Sequence, residues 1–159
     1  MPCHRESEIL TAMLKQDLIK CLLKDSKIRT DIQIVANTYT NISFDALTKK
    51  LSLLNAIINK KLFKYYQKHP DKRVAFYCNH ESVPDNTHSH ILLSVPEEYN
   101  NIIHKILLKL QSKFMLLDDR KLSHAPFKIF YKTNVRSRYA NVAYATKRYN
   151  EEQLTHVVI

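Results

Sequence analysis

An α+β fold, one central antiparallel sheet with helices on one face, is what this 159-residue sequence predicts. Three observations carry that expectation. Short runs rich in β-branched and aromatic residues recur along the chain, two long stretches between them repeat apolar residues every three or four positions, and the order is strand, helix, strand, strand, helix, strand. With 45% hydrophobic residues the chain is long enough for one buried core and too short to argue for two, so a single domain is expected.

Taken in order, residues 6–24 carry Ile9, Met13, Leu18, Cys21 and Leu22 amid charges, a helical spacing that predicts an amphipathic N-terminal helix. Asp31 to Thr40, with Ile32, Ile34, Val35 and Thr38-Tyr39-Thr40, predicts a strand. Ser43 or Asp45 then caps a long helix whose stripe is Phe44, Leu47, Leu51, Leu54, Ile58 and Leu62. Arg73 to Asn79 alternates as a second strand, a polar turn spans Ser82 to Thr87, and His88 to Val95 returns as a third, so the two predict an antiparallel hairpin. Beyond Pro96, Tyr99, Ile102, Ile103, Ile106, Leu110, Phe114 and Leu117 mark a second long helix. Phe127 to Tyr131 supplies a fourth strand, and a helix from about Ser137 to Tyr149 closes the ordered part. This order is the split βαβ, or ferredoxin-like, pattern.

Composition excludes several classes of function. The chain has no glycine, and phosphate-cradling loops need backbone without a Cβ, so neither a P-loop nor a dinucleotide fingerprint can exist in it. Lys and Arg number 25 against 15 Asp and Glu, a formal charge of +10 that favours a polyanion, nucleic acid above all. No apolar run approaches the roughly 18 residues of a spanning helix and the first residues lack a signal-peptide pattern, so a soluble, cytoplasmic protein that avoids membranes is expected. Cys3, Cys21 and Cys78 show no CxxC spacing and read as reduced thiols.

Two stretches carry chemistry. In His88-Ser89-His90 the imidazoles stand two apart on a strand, so both point one way, which is half of a divalent-metal site. In Tyr144-Ala145-Thr146-Lys147-Arg148, helical geometry puts Tyr144, Lys147 and Arg148 on one side with Asn141. Tyr139, Val142, Ala143, Thr146 and Tyr149 fall on the opposite arc, where packed or half-buried positions are expected. A cation beside a phenol stabilises the phenolate that forms as it attacks, a task open to Lys147, which could instead hold a phosphate.

The histidine pair followed some fifty residues later by Tyr-x-x-Lys resembles the HUH endonucleases, the family of rolling-circle replication initiators, relaxases and single-tyrosine transposases. Val35-Ala36-Asn37-Thr38-Tyr39-Thr40 is similar to the first-strand motif of the initiators. The resemblance spans residues 31–150 as a nuclease domain and leaves 1–30 as an N-terminal helical extension and 151–159 as a C-terminal tail. Ser89 departs from it, because the middle residue of the histidine motif is usually bulky and apolar. The resemblance implies a third metal ligand near the end of the preceding strand, Glu81 by preference with His80 as rival. A carboxylate with two imidazoles suits Mn²⁺ or Mg²⁺. It further implies that Tyr144 attacks a phosphate of single-stranded or hairpin DNA and becomes joined to its 5′ side, which makes the enzyme a nickase and strand-transferase. Since one tyrosine holds one strand, a homodimer is one way to supply a second nucleophile.

The basic excess is strongest around the proposed nucleophile, where Lys132, Arg136, Arg138 and Arg148 are the expected DNA contacts. A small plasmid or viral replication initiator, acting in the host cytoplasm if viral, is the preferred errand; a single-tyrosine transposase or a relaxase is the runner-up. A different class is a non-catalytic nucleic-acid binder that stacks bases on Tyr39, Phe76 and Tyr77. Against a zinc hydrolase stands the lack of HExxH or cysteine ligands.

Overall fold

Ile32, Ile34 and Ala36 alternate with Gln33, Val35 and Asn37 along one strand, and that period of two sorts the whole molecule into two faces. The computed structural model of the chain describes residues 8–9, 14–29, 31–38, 40–84, 86–116, 128–133, 137–149 and 155–159. Its strands are β1 (Glu8–Ile9), β2 (Ile32–Asn37), β3 (Ala75–Val83), β4 (Asn86–Ser94), β5 (Lys128–Thr133) and β6 (His156–Val158). They form one antiparallel sheet in the order β1-β6-β3-β4-β2-β5. The helices are α1 (Lys15–Lys24), α2 (Phe44–Leu62), α3 (Ile103–Leu116) and α4 (Arg138–Ala145). Helix α2 joins β2 to β3 across β4, and α3 joins β4 to β5 across β2, which is the split βαβ, ferredoxin-like topology.

Helix α2 starts where Ser43 Oγ accepts from the Ala46 amide at 3.1 Å, a cap worth about 1 kcal/mol. Its stripe of Leu47, Leu51, Leu54 and Ile58 packs with α3 residues Ile103, Leu107 and Leu110 on Ile32, Ile34, Phe76, Cys78, Ile91 and Leu93. Two asparagines fasten α2 to the approach to β3: Asn55 Nδ2 and Asn59 Nδ2 each donate to the Val74 carbonyl at 3.0 Å, and the Val74 amide donates to Asn59 Oδ1 at 2.8 Å. In a chain without glycine, hydroxyls close turns instead: Thr38 Oγ1 donates to the Thr87 carbonyl, and Thr87 Oγ1 to that of Ile42.

The second face differs from expectation. The long helices do lie together on one side, but α1 and α4 cover part of the other, where Leu18, Leu22, Val142 and Ala145 pack on Tyr77, Leu92 and Val158. The N-terminal helix begins at Lys15 rather than at residue 6, and Glu8–Ile9 pairs with β6. The segment expected as a tail supplies that strand, which lies between β1 and β3: Val157 and Val158 pair with Cys78 and Tyr77. A run this short has no periodicity to read, and only its partner strand makes it regular. Helix α4 stops at Ala145, short of the expected Tyr149, because Thr146 Oγ1 bonds back to the Val142 carbonyl and residues 146–148 turn away. Cys21 is disulfide-bonded, which corrects the expectation of three reduced thiols; no CxxC spacing announces it. Cys78 is a buried thiol outside any disulfide. Among the described residues no helix is long and apolar enough to cross a membrane.

Candidate metal centre

The β3–β4 hairpin pairs Glu81 with His88 and Asn79 with His90, and directly opposed residues share a face, so all four stand on the side that carries α4. Glu81 Oε2 lies 2.8 Å from His88 Nε2 and 3.5 Å from His90 Nε2. The imidazoles stand nearly perpendicular with ring centres 5.4 Å apart. One ligand atom from each of Glu81, His88 and His90 falls within 4.8 Å of the others, the separation of donors that share a cation. Burial works to raise the Glu81 pKa, but the polar contacts and charge of His88 and His90 outweigh it and hold the carboxyl well below the ordinary carboxylate range.

Three buried polar atoms of this group make no hydrogen bond: Glu81 Oε1 and both ring nitrogens of His90. Each costs about 1–3 kcal/mol when left without a partner, and a bound cation removes that cost at a ligating atom. The group therefore fits a metal ion. His88 is already oriented for the task, with Nδ1 3.1 Å from Asn86 Oδ1, the kind of contact that fixes a ligating ring.

His80, the rival ligand, is on the opposite face. Its Nε2 lies 2.8 Å from Thr48 Oγ1 and its Nδ1 3.0 Å from Ser89 Oγ, and burial pushes its pKa down to about 4. The same contact accounts for the unexpected Ser89, a buried hydroxyl that serves His80 where the resembling motif is bulky and apolar.

Helix α4 brings the tyrosine to the histidines. The Tyr144 ring meets the His90 ring edge to face with centres 5.3 Å apart, and Lys147 Nζ stands over the Tyr144 ring, 4.3 Å from its centre. Tyr144 is half-buried, while Lys147 and Arg148 are exposed in the turn after α4. Tyr139, expected to pack, is 62% exposed, because contact with α1 sets the buried stripe through Val142, Ala145 and Thr146. Arg138 holds three backbone carbonyls at the end of α1, a structural task that its expected role on DNA did not anticipate. Lys132 pairs with Gln33 through the backbone in β5, its side chain lying outside the described residues, as do Arg136 and Tyr39. Phe76 and Tyr77 are fully buried, so neither offers the stacking surface expected of a non-catalytic binder.

Apart from Val35 and Asn37, which lie within the first-strand motif, the neighbours of the centre did not stand out in the sequence. Asn37 on β2 faces His88 and Lys128 on β5 faces Asn37, so Glu81, His88, Asn37 and Lys128 form one row across four strands. The next row runs His156, Asn79, His90, Val35 and Phe130. His156 Nδ1 lies 2.8 Å from Asn79 Oδ1, and burial pushes His156 down to about 3. Only strand register reveals these rows. Against family models, curated proteins and solved structures, the chain matches none.

Proposed function

We propose that this protein is a metal-dependent nickase and strand-transferase of the HUH type, acting on single-stranded or hairpin DNA. The observation that carries the proposal is the Tyr144 ring against His90, a phenol beside a group built to hold a cation. When bound by Glu81, His88 and His90, Mn²⁺ or Mg²⁺ supplies Lewis-acid polarisation of a non-bridging phosphate oxygen. Tyr144 Oη attacks the phosphorus in line. The new bond joins that oxygen to phosphorus, the bond to the 3′ oxygen breaks, the phenol proton leaves and the 3′ oxygen gains one, which leaves a 5′-phosphotyrosine. One phosphoester replaces another of similar energy, so no nucleotide is consumed and a returning 3′-hydroxyl rejoins the strand. Lys147, over the ring, stabilises negative charge that develops on the phenol as it attacks.

Substrate polarity follows from the uncovered part of the same face. Beside the centre, β2 and β5 present Val35, Lys128 and Phe130, the last 38% exposed within a strand. An aromatic on a strand of a chain carrying +10 charge suits an unpaired base with its backbone phosphate. The errand we favour is initiation of rolling-circle replication, since the long α2 between the first two strands of the βαβ unit accompanies the Tyr-x-x-Lys form.

The test is a covalent adduct. Purified protein incubated with labelled single-stranded DNA and Mn²⁺ is expected to yield a denaturation-resistant protein–DNA band that is lost with chelator and in Tyr144→Phe. Cleavage without that band, or a band that persists in Tyr144→Phe, overturns the proposal.

A further inference from the structure

On the reading that Tyr144 is the nucleophile, its placement depends on where α4 stands, and α4 is tied at both ends to a segment outside the βαββαβ frame. At the first residue of α4, Arg138 Nη1 donates to the Ile28 carbonyl at 3.1 Å, and Nη2 donates to the Leu23 carbonyl at 3.0 Å and to that of Asp25. A helix leaves its last carbonyls without intrahelical donors, and the forked guanidinium serves several such acceptors at once. Just past the other end, Lys15 Nζ at the start of α1 donates to the Lys147 carbonyl at 3.0 Å. The start of each helix thus meets the end of the other, and α1 and α4 run antiparallel. Between the ties, Leu18 and Leu22 pack with Val142 and Ala145.

The clamp is itself fixed to the sheet. Tyr77 Oη donates to Asp25 Oδ2 at 2.8 Å, the Arg29 amide to the Leu93 carbonyl at 2.8 Å, and the Val95 amide to the Lys27 carbonyl at 2.9 Å. The metal-ligand hairpin and the tyrosine helix are therefore referenced to one another through α1 and its loop. An eight-residue helix has no stability of its own in water, so tertiary contacts of this kind have to hold it.

We propose that Arg138 is a positioning residue, and that α1 with its loop is the clamp that sets the Tyr144 ring against the metal centre. Arg138 acts through α4 and touches no reacting atom. Because a displacement of about 1 Å at a reacting group can lower a rate on the order of 10²-fold, the clamp governs turnover without touching substrate.

The experiment uses the full chain with ring-labelled tyrosine and Mn²⁺ as probe. The Tyr144 signal, assigned by its absence in Tyr144→Phe, is expected to carry a shift from the His90 ring and to broaden when Mn²⁺ binds. In Arg138→Ala the shift shrinks and the broadening weakens while the Mn²⁺ Kd holds. In the DNA assay kcat falls about tenfold or more at unchanged KM, and Arg138→Lys recovers part of it. Lys15→Ala cuts the other tie at an exposed position, is expected to act in the same direction, and decides the matter if Arg138→Ala does not fold. A Tyr144 signal and a kcat unmoved in the folded variants overturn the clamp. Failure of the wild-type protein to form an adduct overturns the nickase instead, and the Tyr144 signal still judges the clamp.

Discussion

The two faces of the sheet bury polar groups in opposite ways. On the α2 and α3 face, His80 has a hydroxyl at each ring nitrogen, and Asn55 and Asn59 complete the bonding of Val74. On the α1 and α4 face, buried atoms of Gln33, Asn79, Glu81, His90 and His156 lack hydrogen-bond partners. His80 and His90 make the contrast sharpest, being both buried and on paired strands. Natural cores satisfy nearly all buried polar groups, so unsatisfied ones gathered on a single face mark a place arranged for something other than stability.

The widest separation of the faces is expected in metal binding. Glu81→Ala should weaken Mn²⁺ on the order of 10²-fold by calorimetric titration, whereas His80→Ala should leave affinity unchanged. Equal losses in the two variants would erase the distinction. Stability gives the next largest effect. His80→Leu leaves the Thr48 and Ser89 hydroxyls without their imidazole and is expected to cost about 1–3 kcal/mol in thermal unfolding. His90→Leu, measured with chelator, is expected to cost less than His80→Leu, because the His90 ring nitrogens make no hydrogen bond and only the 3.5 Å contact with Glu81 is lost. If His90→Leu proves the more damaging of the two, its polarity is structural and the metal centre loses its main support.

Acid sensitivity sharpens the picture within one face. Burial holds His156 neutral, at about 3 against an ordinary 6.5. Below pH 6.5 the unfolded chain binds the proton that the folded chain refuses, so this contribution to stability is complete above 6.5 and is lost as pH falls toward 3. His156→Phe should flatten that part of the stability curve measured by denaturant titration. An unchanged acid limb would mean that other groups set it.

Much of the frame was legible in the residues. The stripe from Phe44 to Leu62 announces α2, with its cap left between Ser43 and Asp45, and the alternation around Phe76 and Ile91 announces the hairpin. The site was legible in part: His88 and His90 share a face by strand geometry alone. Glu81 was preferred to His80 only through the resemblance, since adjacent residues on a strand look equally close in sequence and project to opposite sides. Arg138 read as a surface cation because nothing local shows that the carbonyls of residues 23–28 stand beside it. The β6 strand read as a tail because three residues carry no period.

Sequence by itself determined which residues alternate and which repeat by helical turns, and therefore the strand and helix order and the common direction of two imidazoles. These are local properties, set by backbone geometry within a few residues. Tertiary structure alone decided that Glu81 joins the pair, that Tyr144 reaches His90, and that residues 156–158 extend the sheet. Each of those depends on strand register or on α4 packing against α1, contacts between distant parts of the chain that no short window of residues encodes.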